Sequence, residues 1–282
     1  MYPELFKRLL NRDLKSHKYS FGHVLVIGGS PGMVGAPYMT AMAALRTGAG
    51  LVTIASFSSV IDKLEARTNE IMTLRISPGD TASSTLETFL HERHVSVVVM
   101  GPGANPELSA DLLRLLPTLN VPVVVDAGAL NALSENMVVL SDAAANNVNV
   151  ILTPHHGEYR RLIGHELPDA VDELKSNALD FARRYHVTLI LKSHHTLIVH
   201  PDGRSATNEG GNPGMATAGT GDVLSGILAG LLAQNVPTQE AAEAGVYVHG
   251  VAGDIAAHEK TQPGMIATDL IECIPIAFAR LG

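Results

Sequence analysis

The sequence predicts an α/β fold with a largely parallel central sheet and a helical C-terminal third. Three observations carry this reading. Short apolar runs alternate with helix-like segments over most of the chain. The runs show little apolar/polar alternation, as strands buried on both faces require. From Gly221 onward the composition turns helical. Strand and helix in alternation imply a layered architecture.

The elements follow in order. HVLVIG (23–28) is stopped by Gly28 and Gly29, and PYMTAMAALRTGA behind it is helical in composition. LVTIAS (51–56) is the next strand, and IMTLR (71–75) and VSVVVMG (95–101) each follow a polar helical stretch. VPVVVDAG (121–128), NVILTP (149–154) and VTLILK (187–192) continue the series. Near 195 the pattern becomes a hairpin, HTLIVHPDGRSATN, with Pro201-Asp202-Gly203 as its turn. The helical segments DVLSGILAGLLAQ, TQEAAEAGVYVHGVAGDIAAHE and TDLIECIPIAFARL come last. No composition break divides them from the rest, so residues 1–282 are expected to form a single domain.

Composition narrows the function. A chain that is 46% hydrophobic can build a sizeable core, and a formal charge of -8 gives no general attraction to nucleic acid or anionic lipid. Any phosphate must be held locally, by backbone amides or single basic residues. Cys273 is the only cysteine, which excludes an internal disulfide framework and a Cys-rich zinc site. Charges from Glu4 to Lys18 interrupt the first residues, so no secretory leader is expected. Val223 to Val236, an uncharged stretch broken by polar residues and glycines, falls short of the ~20 apolar residues of a membrane span. A cytoplasmic protein is expected.

The most informative segment runs from Asn208 to Asp222, with Gly210, Gly211, Gly214, Gly219 and Gly221 inside it. So many glycines disfavour helix and strand alike. Gly219-Thr220-Gly221 stands where an apolar helix begins, so free amides and the positive helix end would face an anion. Asp222, in the first turn, is either a helix stabiliser or a general base beside an anion hole; the long glycine-rich lead-in favours the base.

Asn212-Pro-Gly-Met-Ala-Thr-Ala-Gly-Thr-Gly-Asp-Val-Leu-Ser-Gly226 resembles the signature of the ADP/ATP-dependent NAD(P)H-hydrate dehydratases, members of the ribokinase-like superfamily. Gly28-Gly-Ser-Pro-Gly-Met-Val-Gly-Ala36, Arg46-Thr-Gly-Ala-Gly-Leu-Val-Thr53, Gly101-Pro-Gly103, Val125-Asp-Ala127, Leu152-Thr-Pro-His-His-Gly-Glu158 and Lys192-Ser-His-His-Thr196 are similar to the family's other blocks, in order. The resemblance spans about residues 20–260 and implies a ribokinase-like three-layer fold. It implies a lyase that dehydrates the S-epimer of hydrated NADH or NADPH at the expense of ADP or ATP, with Mg²⁺. Asp222 would be the base, and the amides of Gly219, Thr220 and Gly221 the anion hole. Ala36, Gly103, His155 and Asp222 would contact the hydrate; Lys192, Ser193, His194, His195, Thr196 and Gly221 would bind the nucleotide. Glu158 would organise metal-bound water. The resemblance further implies a separate epimerase as functional partner, since only about twenty residues precede the first strand, and a homo-oligomer, a tetramer. The donor, ADP or ATP, and the preference between the two hydrates stay open.

Each block also has a plainer reading. Pro154 and Glu158 can simply start a helix, and Gly101-Pro102-Gly103 can be an ordinary strand-to-helix turn. Asp126, at a strand end, is a catalytic or metal-proximal carboxylate or a helix cap; Gly128 stands where many family members carry a second acidic residue. His194 and His195, adjacent on an extended chain, would point to opposite faces and so make a poor metal pair. His91 and His94 are spaced for one helical face, read as solvated.

Other function classes fare worse. Gly28-Gly29-Ser30-Pro31-Gly32 spells the serine-hydrolase elbow, and Asp126 and His249 follow in triad order. Pro31, however, removes the amide that would complete the oxyanion hole. Neither a dinucleotide-binding G-x-G-x-x-G nor a G-x-x-x-x-G-K-[ST] loop is present. A small-molecule kinase of the same fold is the alternative enzyme. A silent nucleotide-binding regulator would have no need of Asp222.

Overall fold

The computed structural model describes residues 2–77 and 79–282. Among the described residues nine strands form one sheet: β1 (His23–Ile27), β2 (Leu51–Phe57), β3 (Met72–Ile76), β4 (Val97–Met100), β5 (Val123–Val125), β6 (Val150–Leu152), β7 (Thr188–Leu191), β8 (Thr196–Val199) and β9 (Ser205–Asn208). Their order is β3-β2-β1-β4-β5-β6-β7-β8-β9. From β3 through to β7 all pairings are parallel, while β8 and β9 add antiparallel strands at one edge. The expected hairpin is the β8–β9 pair. After β3 the chain returns to the middle and starts outward again with β4, so a crevice opens outside the carboxyl ends of β1 and β4.

Both faces of the sheet are covered. Val24, Val26, Val97, Val99 and Val124 point into one apolar core; Leu25, Ile27, Val98, Met100, Val123 and Val125 point into the other. This is why the central strands lack alternation. The first core is closed by α1 (Pro3–Leu10), α2 (Gly35–Thr47), α3 (Ser58–Glu65), α10 (Thr220–Ala233), α11 (Thr238–Lys260) and α12 (Ala267–Leu281). The second is closed by α4 (Asp80–Glu92), α5 (Pro106–Leu115), α6 (Ala127–Glu135), α7 (Val138–Ala145), α8 (His156–Ile163) and α9 (Val171–Tyr185). The result is three layers, helix on sheet on helix. No helix of the described residues is long and apolar enough to cross a membrane.

Three details differ from the sequence reading. β3 is an edge strand, with Met72 and Arg75 exposed, and Arg75 reaches across to Asp62 and Glu65. Charges on a sheet edge discourage pairing with another chain, so burial on both faces does not extend to β3. α1 occupies a segment where the sequence reading places no element: Leu5 and Phe6 are buried, and the Phe6 ring meets Phe278 edge-on at 5.6 Å. His91 lies in α4, but His94 follows its end with a positive φ of 49°, so the two do not share a helical face.

The contact that sets the site is between α10 and α2. A Cβ at Gly226 would lie 2.2 Å from the carbonyl oxygen of Thr40, and one at Gly230 would lie 2.6 Å from the Thr47 Cβ. Bare glycines four residues apart form one ridge of the helix, so the two backbones pack closely and the N-terminus of α10 is held against the sheet.

Candidate active site

Five loops leave the carboxyl ends of β1, β4, β5, β6 and β7, and those after β5 and β7 meet the first turns of α10. The β1 and β4 loops are tied together: the Ser30 hydroxyl donates to the Gly103 carbonyl at 2.8 Å and the Gly29 amide to that of Pro102 at 2.8 Å. Gly103 has a φ of +65°, and a Cβ there would lie 2.7 Å from the Met33 carbonyl oxygen and 3.0 Å from the Ala36 Cβ. Ala36 and Gly103 are therefore neighbours. Gly101 is tighter still. With φ of +107°, its Cβ would sit 2.0 Å from the Asp126 carbonyl oxygen.

Asp126 follows β5 and caps α6 through its own side chain, but that is half its work. Its Oδ1 accepts from the Ala127 amide at 2.9 Å and from the Lys192 ammonium at 2.9 Å; its Oδ2 accepts from the Ser225 hydroxyl at 2.8 Å. The carboxylate is 3% exposed, and the Lys192 side chain 21%. A buried carboxylate with three donors is stable only as a fixed part of the structure. Gly128 also has a physical reason: a Cβ there would lie 2.4 Å from the Ala104 carbonyl oxygen, which leaves no room for an acidic side chain.

After β6, His155 and Glu158 form a reciprocal cap on α8. The His155 Nδ1 accepts from the amides of Gly157 (3.0 Å) and Glu158 (3.3 Å), while Glu158 accepts from the His155 amide at 2.8 Å. The helix-start reading of Glu158 is thus what the geometry shows. Since Nδ1 accepts, a neutral ring carries its proton on Nε2, which lies 3.6 Å from a Glu158 carboxylate oxygen on the half-exposed ring. Burial raises Glu158 above the ordinary range, opposed by Lys192 and the His155 amide.

After β7, Lys192 to Thr196 form the turn into β8. The Thr196 hydroxyl donates to the Ser193 carbonyl at 3.0 Å, and that of Ser193 to the His195 carbonyl at 2.7 Å. The His194 and His195 rings lie 4.2 Å apart, tilted and exposed. They point the same way because residues 193–195 form a bend, not a strand, which corrects the expectation of opposite faces. Lys192 turns inward. Burial works against its charge, but Asp126, then Glu158 and Asp222, hold it above the ordinary lysine range.

α10 completes the site. Asn212 anchors the glycine-rich loop by donating to the Gly253 carbonyl and to Asp254, both at 3.0 Å, and Thr220 donates to the Met215 and Thr217 carbonyls. Gly219 precedes the helix with a φ of +96°, and no side chain caps the helix start. The first-turn amides are therefore open to an incoming acceptor. Gly221 adjoins the Lys192 ammonium, 3.3 Å from where its Cβ would stand. Asp222 is pushed up to about 7, first by burial and then by Asp126, with Lys192 opposing. Beneath it, His249 donates from Nε2 to the Thr220 carbonyl at 2.9 Å, and burial lowers it to about 4, so the ring is neutral.

The structure thus gathers Asp222, Gly221, Lys192 and Asp126, and pairs Ala36 with Gly103. The hydrolase arrangement is not formed: Ser30 is committed to Gly103, Asp126 to Lys192 and Ser225, and His249 to Thr220. Sequence reasoning missed Ser225 and the Asp126–Lys192 pair. A cavity of about 410 Å³ lined by His23, Thr53, Phe89 and Arg93 opens near the amino-terminal ends of β1 and β3, away from these residues.

Residues 24–276 match the family model described as NAD(P)H-hydrate dehydratase. The chain is 42% identical over 280 residues to a bifunctional NAD(P)H-hydrate repair enzyme of Moorella thermoacetica, covering 97% of this chain and 52% of that protein. It is 38% identical over 261 residues to an ADP-dependent (S)-NAD(P)H-hydrate dehydratase of Neisseria meningitidis, covering 90% and 82%. The chain spans about half the length of the bifunctional relatives it matches. Among solved structures, an ADP/ATP-dependent NAD(P)H-hydrate dehydratase of Bacillus subtilis co-crystallised with ATP/Mg²⁺ superposes with a TM-score of 0.79 at 26% identity, covering 99% and 97%. Ribokinase of Arabidopsis thaliana, with a TM-score of 0.57 at 12% identity and 90% and 98% covered, shares the fold.

Proposed function

The chain belongs to the NAD(P)H-hydrate dehydratase family, and from that premise we propose that it returns the S-epimer of hydrated NADH or NADPH to NAD(P)H at the expense of ADP or ATP. Residues 1–282 act as one such domain. The observation that carries the reading is Asp222: a carboxylate pushed up to about 7, in the uncapped first turn of α10, among open amides.

Water is a poor leaving group, so the C6 hydroxyl of the hydrate must first be activated. Asp222 takes the hydroxyl proton as the oxygen attacks the terminal phosphoryl of the nucleotide, whose bridging P–O bond breaks to release the nucleotide one phosphate shorter. The amides of Gly219, Thr220 and Gly221 meet the charge building on the phosphoryl oxygens. The ring nitrogen then expels phosphate, and loss of a neighbouring proton restores the dihydronicotinamide. Ala36, Gly103 and His155 hold the hydrate, with the His155 Nε2–H as a donor. The 192–196 turn and Gly221 hold the nucleotide.

Mg²⁺ fits as a partner of the nucleotide. Among the described residues no three His, Cys, Asp or Glu side chains are grouped to hold a metal, and Mg²⁺ characteristically uses one or two carboxylates plus phosphates. Glu158 would reach it through water. The ion would neutralise charge on the phosphates. An epimerase activity supplying the S-epimer, a homo-oligomeric assembly and a cytoplasmic setting complete the proposal.

The test mixes purified protein with NADH hydrate, Mg²⁺ and either ADP or ATP. Return of dihydronicotinamide absorbance, matched by released phosphate, supports the reading and names the donor. A stable phosphoester instead identifies a kinase. The pH dependence is a second check. The base must be ionised, so kcat/KM, which reports the free enzyme, is expected to rise about tenfold per unit below pH 7 and to level off above it.

A further inference from the structure

Three carboxylates share one ammonium in this site. Asp126, Glu158 and Asp222 all act on Lys192, yet among the described residues only Asp126 touches it, at 2.9 Å. The lysine stem is flexible, so something must decide which carboxylate keeps the charge. Asp126 is engaged at both oxygens: the Ala127 amide and Lys192 on Oδ1, and the Ser225 hydroxyl on Oδ2. A carboxylate held at both ends cannot rotate.

Ser225 is fully buried and lies three residues after Asp222 on α10, so base and hydroxyl share one helix face. The next residue, Gly226, packs backbone to backbone on α2, which fixes the helix at that turn. We propose that Ser225 is a positioning residue whose hydroxyl keeps Asp126 turned toward Lys192, and so keeps the Lys192 ammonium off the Asp222 carboxylate. This rests on the reading of Asp222 as the base.

The groups facing Asp222 make the consequence specific. Asp126, from the β5–α6 junction, and Lys192, from the end of β7, act on Asp222 directly; Glu158, from α8, acts on Lys192, and His249, from α11, is neutral against the Thr220 carbonyl. Lys192 alone among these four is a cation able to move. If it leaves Asp126 for Asp222, the new ion pair makes Asp222 a stronger acid and a weaker base.

The experiment is a ¹³C NMR titration of the aspartate carboxyl carbons in the nucleotide-free protein, comparing wild type, Ser225→Ala and Ser225→Thr. In Ser225→Ala the Asp222 midpoint is expected to fall by about one pH unit, and Ser225→Thr, which keeps the hydroxyl, to stay near wild type. The same comparison in a Lys192→Met background guards against a purely structural effect: there Ser225→Ala should leave Asp222 unmoved. An unchanged Asp222 midpoint in Ser225→Ala, or an equal shift with and without Lys192, overturns the proposal. No turnover is needed for this readout, so a failure of wild-type dehydration would sink the proposed function separately.

Discussion

Asp222→Asn is expected to lower dehydration by roughly 10²–10⁴-fold, the range a general base contributes, while nucleotide binding persists. The amide is nearly isosteric and α10 keeps its place on α2, so the first-turn amides still face the phosphates. Hydrate-dependent phosphate release measures the loss, and nucleotide titration of the variant checks the binding. Near-wild-type turnover would remove Asp222 as the base and leave it a helix stabiliser.

Gly101→Ala is expected to be the most damaging single methyl in the site. The new Cβ would lie 2.0 Å from the Asp126 carbonyl oxygen, at a φ of +107° that side chains rarely adopt. Overpacking and backbone strain each cost about 1–3 kcal/mol, so a loss of roughly 3 kcal/mol follows, or about 6–12 °C in Tm for a chain of this size. Activity should fall further than stability, because the strain falls on the residue that holds Lys192. Calorimetry and turnover on the same preparation separate the two; an unchanged Tm would show that the β4 and β5 loops adapt.

Much of this arrangement was legible in the sequence, for reasons that can be named. Doubly buried strands show as uninterrupted apolar runs, and four of these runs stop at residues around the candidate site: Gly28, Gly101, Asp126 and Lys192. The glycine-rich run before α10 could be nothing but a loop feeding a helix start, and Asp222 fell into place behind it. What stayed hidden depends on distance along the chain. Asp126 meets Lys192 across 66 residues and Ser225 across 99, and no local pattern announces such pairs. The spacing of Lys192 says nothing of which way its stem turns, and the stem turns inward onto Asp126. His155 and Glu158 satisfied two readings at once, since a capping pair and a site pair have the same spacing. α1 escaped because a short charged helix owes its place to Phe6 on Phe278, a partner at the other end of the chain.

The glycine contact between α10 and α2 bears on how solvent enters the molecule. From Val223 to Ala233 every residue of α10 is buried, and the Gly226 and Gly230 backbones are sealed against α2, so deuterium should reach those amides only through global unfolding. One turn earlier, at Gly221 and Asp222, no cap protects the amides, and exchange should finish within seconds. A single helix would then carry among the slowest and the fastest protons of the protein. Saturating nucleotide should slow only the fast ones, which makes the first turn of α10 its own reporter of occupancy.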